Sequence, residues 1–206
     1  MLDRIAMLAL QPALSKGAAA LQRTGITADA VTLTGFAAGI AAAGAIVVQA
    51  PLLGLALICV SRIADGLDGA LARQTQTTDR GAFLDSVCDF LFYAAIPLAF
   101  AIADPPRNAL PAAVLLASFI GTATSFLGFA VLAERRGLQR ENYPSKGFYY
   151  LGGLTEGTET IACFALMCAL PNWFPQFAYG FAALCALTIC TRVLAGWREL
   201  GKSGSS

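Results

Sequence analysis

The chain has 206 residues, 57% of them hydrophobic and 13% charged, with a formal net charge of +1 and a mean hydropathy of +0.65. Apolar runs of about 20 residues recur along it, the length that spans ~30 Å of hydrocarbon as helix, so a soluble globular class is excluded. Near-neutral charge offers no footing for nucleic acid, and the absence of His removes the usual general base and zinc ligand, leaving acid–base or metal chemistry to Asp and Glu.

In chain order, the segment from Leu2 to Arg23 mixes Ile5, Leu8, Leu14 and Leu21 with Arg4, Lys16 and Arg23, as an amphipathic helix lying in the membrane interface does. A cleaved signal peptide competes, but its apolar core is short and ends at Gln11-Pro12. Six transmembrane helices are then predicted over 30–49, 52–73, 81–103, 109–133, 148–170 and 174–194, separated by prolines or polar runs. The predicted fold class is an all-α integral membrane bundle. It reads as one domain over 1–200, with 1–25 interfacial and 201–206 a tail. Six Cys lie in the apolar segments without a CxxC pair and read as small packing residues.

Basic residues orient the bundle. Twelve Lys and Arg fall in the amino-terminal segment, between spans two and three, between spans four and five, and at the carboxy end, whereas the opposite side has Arg107 alone. This positive-inside bias puts both termini and the 74–80 loop in the cytoplasm.

Against that background four carboxylates enter the second and third spans, in the pattern Asp65-x-x-Asp68-Gly69-x-x-Ala72-Arg73 and Gly81-x-x-x-Asp85-x-x-x-Asp89. Asp65 and Asp68 share a helix face at i, i+3, and Asp85 and Asp89 at i, i+4, at matching depths of about 6 to 12 Å from the cytoplasmic ends. Ionisable groups at membrane depth are costly and mark function. Four facing carboxylates need cations, and one or two Mg²⁺ or Mn²⁺ suit their hard oxygens; carboxylate pairing with Arg62 and Arg73 is the alternative. Gly66, Gly69, Ala70 and Ala72 strip one face of bulk so that a ligand or backbone can approach, and Arg73 offers a planar fork for phosphate. Together these describe a pyrophosphate site.

The spacing resembles the signature of the CDP-alcohol phosphotransferase (CDP-alcohol phosphatidyltransferase) family, with all eight fixed residues present over 25 positions and seven residues instead of eight between Arg73 and Gly81. The stretch Ile26-Thr27-Ala28-Asp29-Ala30-Val31-Thr32 is similar to the family's T-P-N-x-x-T, with Ala28 for Pro and Asp29 for Asn. The resemblance implies that Asp65, Asp68, Asp85 and Asp89 are ligands of a two-metal site. Asp89, with Asp85 beside it, is then catalytic, as general base toward an acceptor hydroxyl. Thr32, Asp68, Gly69, Ala72, Arg73 and Gly81 would bind the CDP moiety of a donor such as CDP-diacylglycerol, and CMP would leave as a phosphodiester forms. It also implies a homodimer among membrane lipids, in a bacterial inner membrane.

The acceptor is read from the remaining spans. The stretch Ser125 to Ala130 is uncharged where phosphate-using members carry Lys and Arg, while Glu156 and Glu159 lie on one face of the fifth span. Acids there favour a neutral or amino alcohol, unless they pair with Arg62. Arg135, Arg136, Arg140 and Lys146 leave a phosphorylated acceptor open, as in phosphatidylglycerophosphate or phosphatidylinositol-phosphate synthesis. A divalent-cation transporter and a non-catalytic membrane partner are the readings from other classes.

Overall fold

Two threonines and two prolines start four of the seven α-helices among the described residues. The computed structural model describes residues 2–136 and 154–202. Helix α1 runs over Leu2–Arg23 and α2 over Ala28–Val47, the latter capped by Thr27, whose hydroxyl accepts from the Ala30 N–H at 3.3 Å. Pro51 opens α3 (Pro51–Gln74) and Pro105 opens α5 (Pro105–Arg135), both at the helix start, where the missing N–H costs nothing. Between them α4 (Asp79–Ala103) is capped by Thr78, which accepts from the Gly81 N–H at 3.0 Å. After α6 (Gly157–Ala169), a 3₁₀ turn over Pro171–Trp173 leads into α7 (Phe174–Lys202). No strand occurs among the described residues.

The chain is an all-α membrane protein. Helices α2, α4 and α5, and the 3₁₀ turn continuing into α7, are long and apolar enough to cross a membrane. Helix α3 has 24 residues but carries Arg62, Asp65, Asp68 and Arg73, and α6 has 13 residues, roughly 20 Å of helix. The remaining two of the six expected spans therefore do not stand on length and apolarity alone.

An aromatic core holds the bundle. Phe92 of α4, Phe164 of α6 and Phe174 of α7 are fully buried; Phe164 meets Phe92 edge-on at 6.1 Å, and Phe174 stacks on Phe100 at 4.6 Å. Cys88, Cys163, Cys168 and Cys185 are buried, and all six cysteines are free thiols, as the packing reading expects. A second cluster joins α1 to the bundle: Ala18 packs with Val31, Ala70 and Leu71, and Leu14 and Leu21 close over it.

One expected span differs at its start. Residues 154–156 are not helical, and 148–153 lie outside the described residues. The N–H groups of Leu154 and Thr155 both donate to the Thr188 hydroxyl at 3.2 Å, which holds this stretch extended against α7. Glu156 is then the N-cap of α6: its carboxylate accepts from the Glu159 N–H, and the Glu159 carboxylate accepts from the Glu156 N–H at 3.2 Å. This reciprocal capping box replaces the expected pair of acids on one face of a continuous helix.

Candidate active site

The site is built on close approach of α2 to α3. A Cβ on Gly35 would stand 2.8 Å from the Ala64 Cβ, and one on Gly39 would stand 2.6 Å from Phe92 Cδ2 and 3.1 Å from Ser61 Oγ. Glycine at both positions lets the helices meet nearly backbone to backbone. Helix α2 packs against both α3 and α4, while α3 and α4 make little backbone contact with each other. What lies between them is a narrow cleft lined by Thr32, Phe36, Arg62, Cys88 and the four aspartates.

Into this cleft α3 sends Asp65 and Asp68, and α4 sends Asp85 and Asp89. Carboxylate oxygens of Asp65, Asp85 and Asp89 lie within 4.8 Å of one another. Asp68 is 5% exposed, and its Oδ2 is buried without a hydrogen-bond partner. The Thr32 hydroxyl, which donates to the Ala28 carbonyl at 3.1 Å, sits beside the Asp68 carboxylate. A buried carboxylate oxygen lacking a donor is strongly unfavourable unless a cation faces it. That orphaned oxygen, beside three converging carboxylates, fits a divalent cation with oxygen ligands.

Arg62 also enters the cleft. Its Nη1 donates to Asp89 Oδ1 at 2.7 Å and lies 3.5 Å from Asp65 Oδ1, its Nη2 donates to Ser61 Oγ at 3.2 Å, and its guanidinium stands 4.2 Å above the Phe92 ring. The expected alternative, pairing of Arg62 with Glu156 or Glu159, is thus replaced by pairing with Asp65 and Asp89. Proximity explains this, since Asp65, one turn along α3, and Asp89, on α4, both reach Nη1, whereas the two glutamates form the α6 cap.

Near the end of α3 Arg73 is exposed, outside the residues that line the cleft, and its Nη1 lies 3.3 Å from where a Gly69 Cβ would be, so Gly69 gives the guanidinium room to fold back over α3. Gly81 lies in the first turn of α4 next to the Asp29 carboxylate, which is 3.6 Å from Arg80. The small-residue face divides. Gly66 faces Leu14 and Ala70 packs with Ala18, so these two admit α1, while Gly69 faces the Arg73 guanidinium. A further buried cation lay unnoticed among the carboxy-terminal charges: Arg192 is 7% exposed, donates to the Thr122 carbonyl at 3.2 Å and lies 5.9 Å from the Phe126 ring. Its α-helical spacing against buried Cys185 and Thr188 on α7 was the available signal.

The sequence profile of CDP-alcohol phosphatidyltransferases matches residues 25–194. The chain belongs to this family. As a family member it is a transferase, and the helices that carry its acids fall inside the matched span. It is 48% identical over 200 residues to the inner membrane protein YnjF of Escherichia coli, covering 97% of each chain. It is 31% identical over 147 residues to the archaetidylinositol phosphate synthase of Pyrococcus horikoshii, covering 66% of this chain and 78% of that one. Its fold is similar to that of the phosphatidylinositol phosphate synthase of Mycobacterium tuberculosis. The crystal structure of that protein with CDP-DAG bound gives a TM-score of 0.70 at 23% identity, over 89% of this chain and 93% of that one. The same protein in complex with manganese and citrate gives 0.69 at 22% identity, over 89% and 88%.

Proposed function

We propose that the protein transfers a phosphatidyl group from CDP-diacylglycerol to an alcohol, releasing CMP. The observation that carries this is the convergence of Asp65, Asp85 and Asp89 beside the partnerless Asp68 oxygen, in a chain that keeps all eight fixed positions of the family motif. The acceptor oxygen attacks the lipid-linked phosphorus, the bond from that phosphorus to the oxygen of CMP breaks, and the acceptor proton passes to Asp89. Asp65, Asp68, Asp85 and Asp89 hold Mg²⁺ or Mn²⁺, one or two ions, which when bound neutralise charge on the phosphates. Thr32, Gly69, Ala72, Arg73 and Gly81 cradle the CDP moiety, Arg73 through its donor fork and the two glycines through the room they leave.

The proposed setting is a single domain over 1–200 with six spans, α2 to α7, in a bacterial inner membrane, as the relationship to YnjF supports. Helix α1 lies at the interface, both termini and the cleft face the cytoplasm, and two copies form a homodimer.

For the acceptor, a phosphorylated alcohol is now the better reading. Glu156 and Glu159 cap α6, which withdraws the basis for a neutral or amino alcohol. A relative at 31% identity is an archaetidylinositol phosphate synthase, which supports a phosphorylated acceptor. The test is CMP release from CDP-diacylglycerol by purified protein with inositol phosphate, glycerol 3-phosphate, serine or glycerol, with Mg²⁺, with Mn²⁺ or with EDTA. Metal-dependent release with a phosphorylated alcohol is expected. Release with serine or glycerol alone would restore the neutral or amino-alcohol reading, and silence with every alcohol together with Mn²⁺ flux into liposomes would make the protein a transporter.

A further inference from the structure

Among the described residues, Arg62 is the cation paired with the cleft carboxylates, and four separate features fix it there. Nη1 reaches Asp89 at 2.7 Å and Asp65 at 3.5 Å, Nη2 holds Ser61 Oγ, the plane covers Phe92, and the side chain is 16% exposed. Gly39 leaves room for both supports, since a Cβ there would stand 2.6 Å from Phe92 Cδ2 and 3.1 Å from Ser61 Oγ. On the other side of the same cleft the Asp68 oxygen has no partner. The acids are thus divided into a side that carries its own positive charge and a side that does not.

Charge decides what this division does. Four carboxylates and one guanidinium leave the cleft three charges negative. One divalent cation brings it to one negative charge, and a second makes it one positive, so the second ion enters a cleft that the first and Arg62 have already largely neutralised. A CDP-linked donor carries two negative charges on its diphosphate and reverses that excess. We propose that Arg62 is a resident counter-ion that competes with divalent cations for Asp65 and Asp89, so that the protein without nucleotide holds one divalent ion tightly and a second only weakly. This rests on the reading of the four aspartates as a divalent-cation site. Arg62 acts here as a positioning residue: it keeps Asp89 in place and free of permanent metal until the diphosphate arrives.

The measurement is a Mn²⁺ titration of the full chain in detergent, with free ion followed by electron paramagnetic resonance, for the unmodified protein, Arg62→Gln and Arg62→Lys, with and without CDP. Without CDP the unmodified protein binds one ion, with the second at least about tenfold weaker, within the usual size of a coupling between sites. CDP narrows that gap, and this comparison needs no variant to fold. Arg62→Gln binds both ions with affinities within about threefold of each other in the absence of CDP, while Arg62→Lys, which keeps the charge, retains the gap. Two equal sites in the unmodified protein, or an Arg62→Gln titration that superimposes on it for a monodisperse species, overturns the role of Arg62. Absence of Mn²⁺ binding in all three proteins overturns the divalent-site reading itself, and the proposal with it.

Discussion

Asp89 accepts the 2.7 Å bond from Arg62 while its carboxylate belongs to the group converging with Asp65 and Asp85. An amide there keeps the size but loses both the charge and the capacity to take a proton. Asp89→Asn is expected to lower CMP release by about 10²–10⁴-fold, the usual worth of a positioned acid–base group, with an unchanged elution profile in detergent. Near-normal turnover would remove Asp89 from the chemistry. The four aspartates were legible as residues because lipid makes unpaired charge so costly that four acids in two apolar runs had to share a purpose. Arg62 was legible only as a nearby base. Its spacing to Asp65 was visible along the helix, but its bond to Asp89, 27 positions later, depends on where α4 lies.

At the scale of helices, the glycines of α2 set how near the site's two walls can stand. Gly39→Ala would press a methyl group against Phe92 and Ser61 and is expected to destabilise the protein by about 1–3 kcal/mol, read as a lower thermal midpoint in detergent. Gly128→Ala is the control, since a Cβ at that position meets nothing within 4 Å, and it should leave the midpoint unchanged or slightly raised. Helix existence and most boundaries were readable from prolines, threonine caps and apolar length. The start of α6 was not, because Glu is an uncommon cap and its role depends on Thr188 of α7 pinning Leu154 and Thr155 out of the helix. The same tertiary bond makes Glu156 and Glu159 the capping pair of α6.

For the whole molecule, the charge asymmetry and the position of the cleft make a joint statement about sidedness. Cysteines introduced at Thr77 and at Asn172, both exposed and at opposite ends of the bundle, should react with a membrane-impermeant maleimide from opposite sides. Thr77→Cys should react in inside-out vesicles and Asn172→Cys in intact cells; the reverse pattern would move the cleft to the other face and require CDP-linked donor outside the cytoplasm. Class, helical content and the family motif followed from sequence alone, because burial in lipid constrains composition and phosphoryl transfer constrains residue type and spacing. The close seam of α2 on α3, the packing of Gly66 and Ala70 against α1, and the placement of Arg62 between two carboxylates were decided by tertiary packing. Each depends on distances between residues far apart in the chain, which neither periodicity nor spacing encodes.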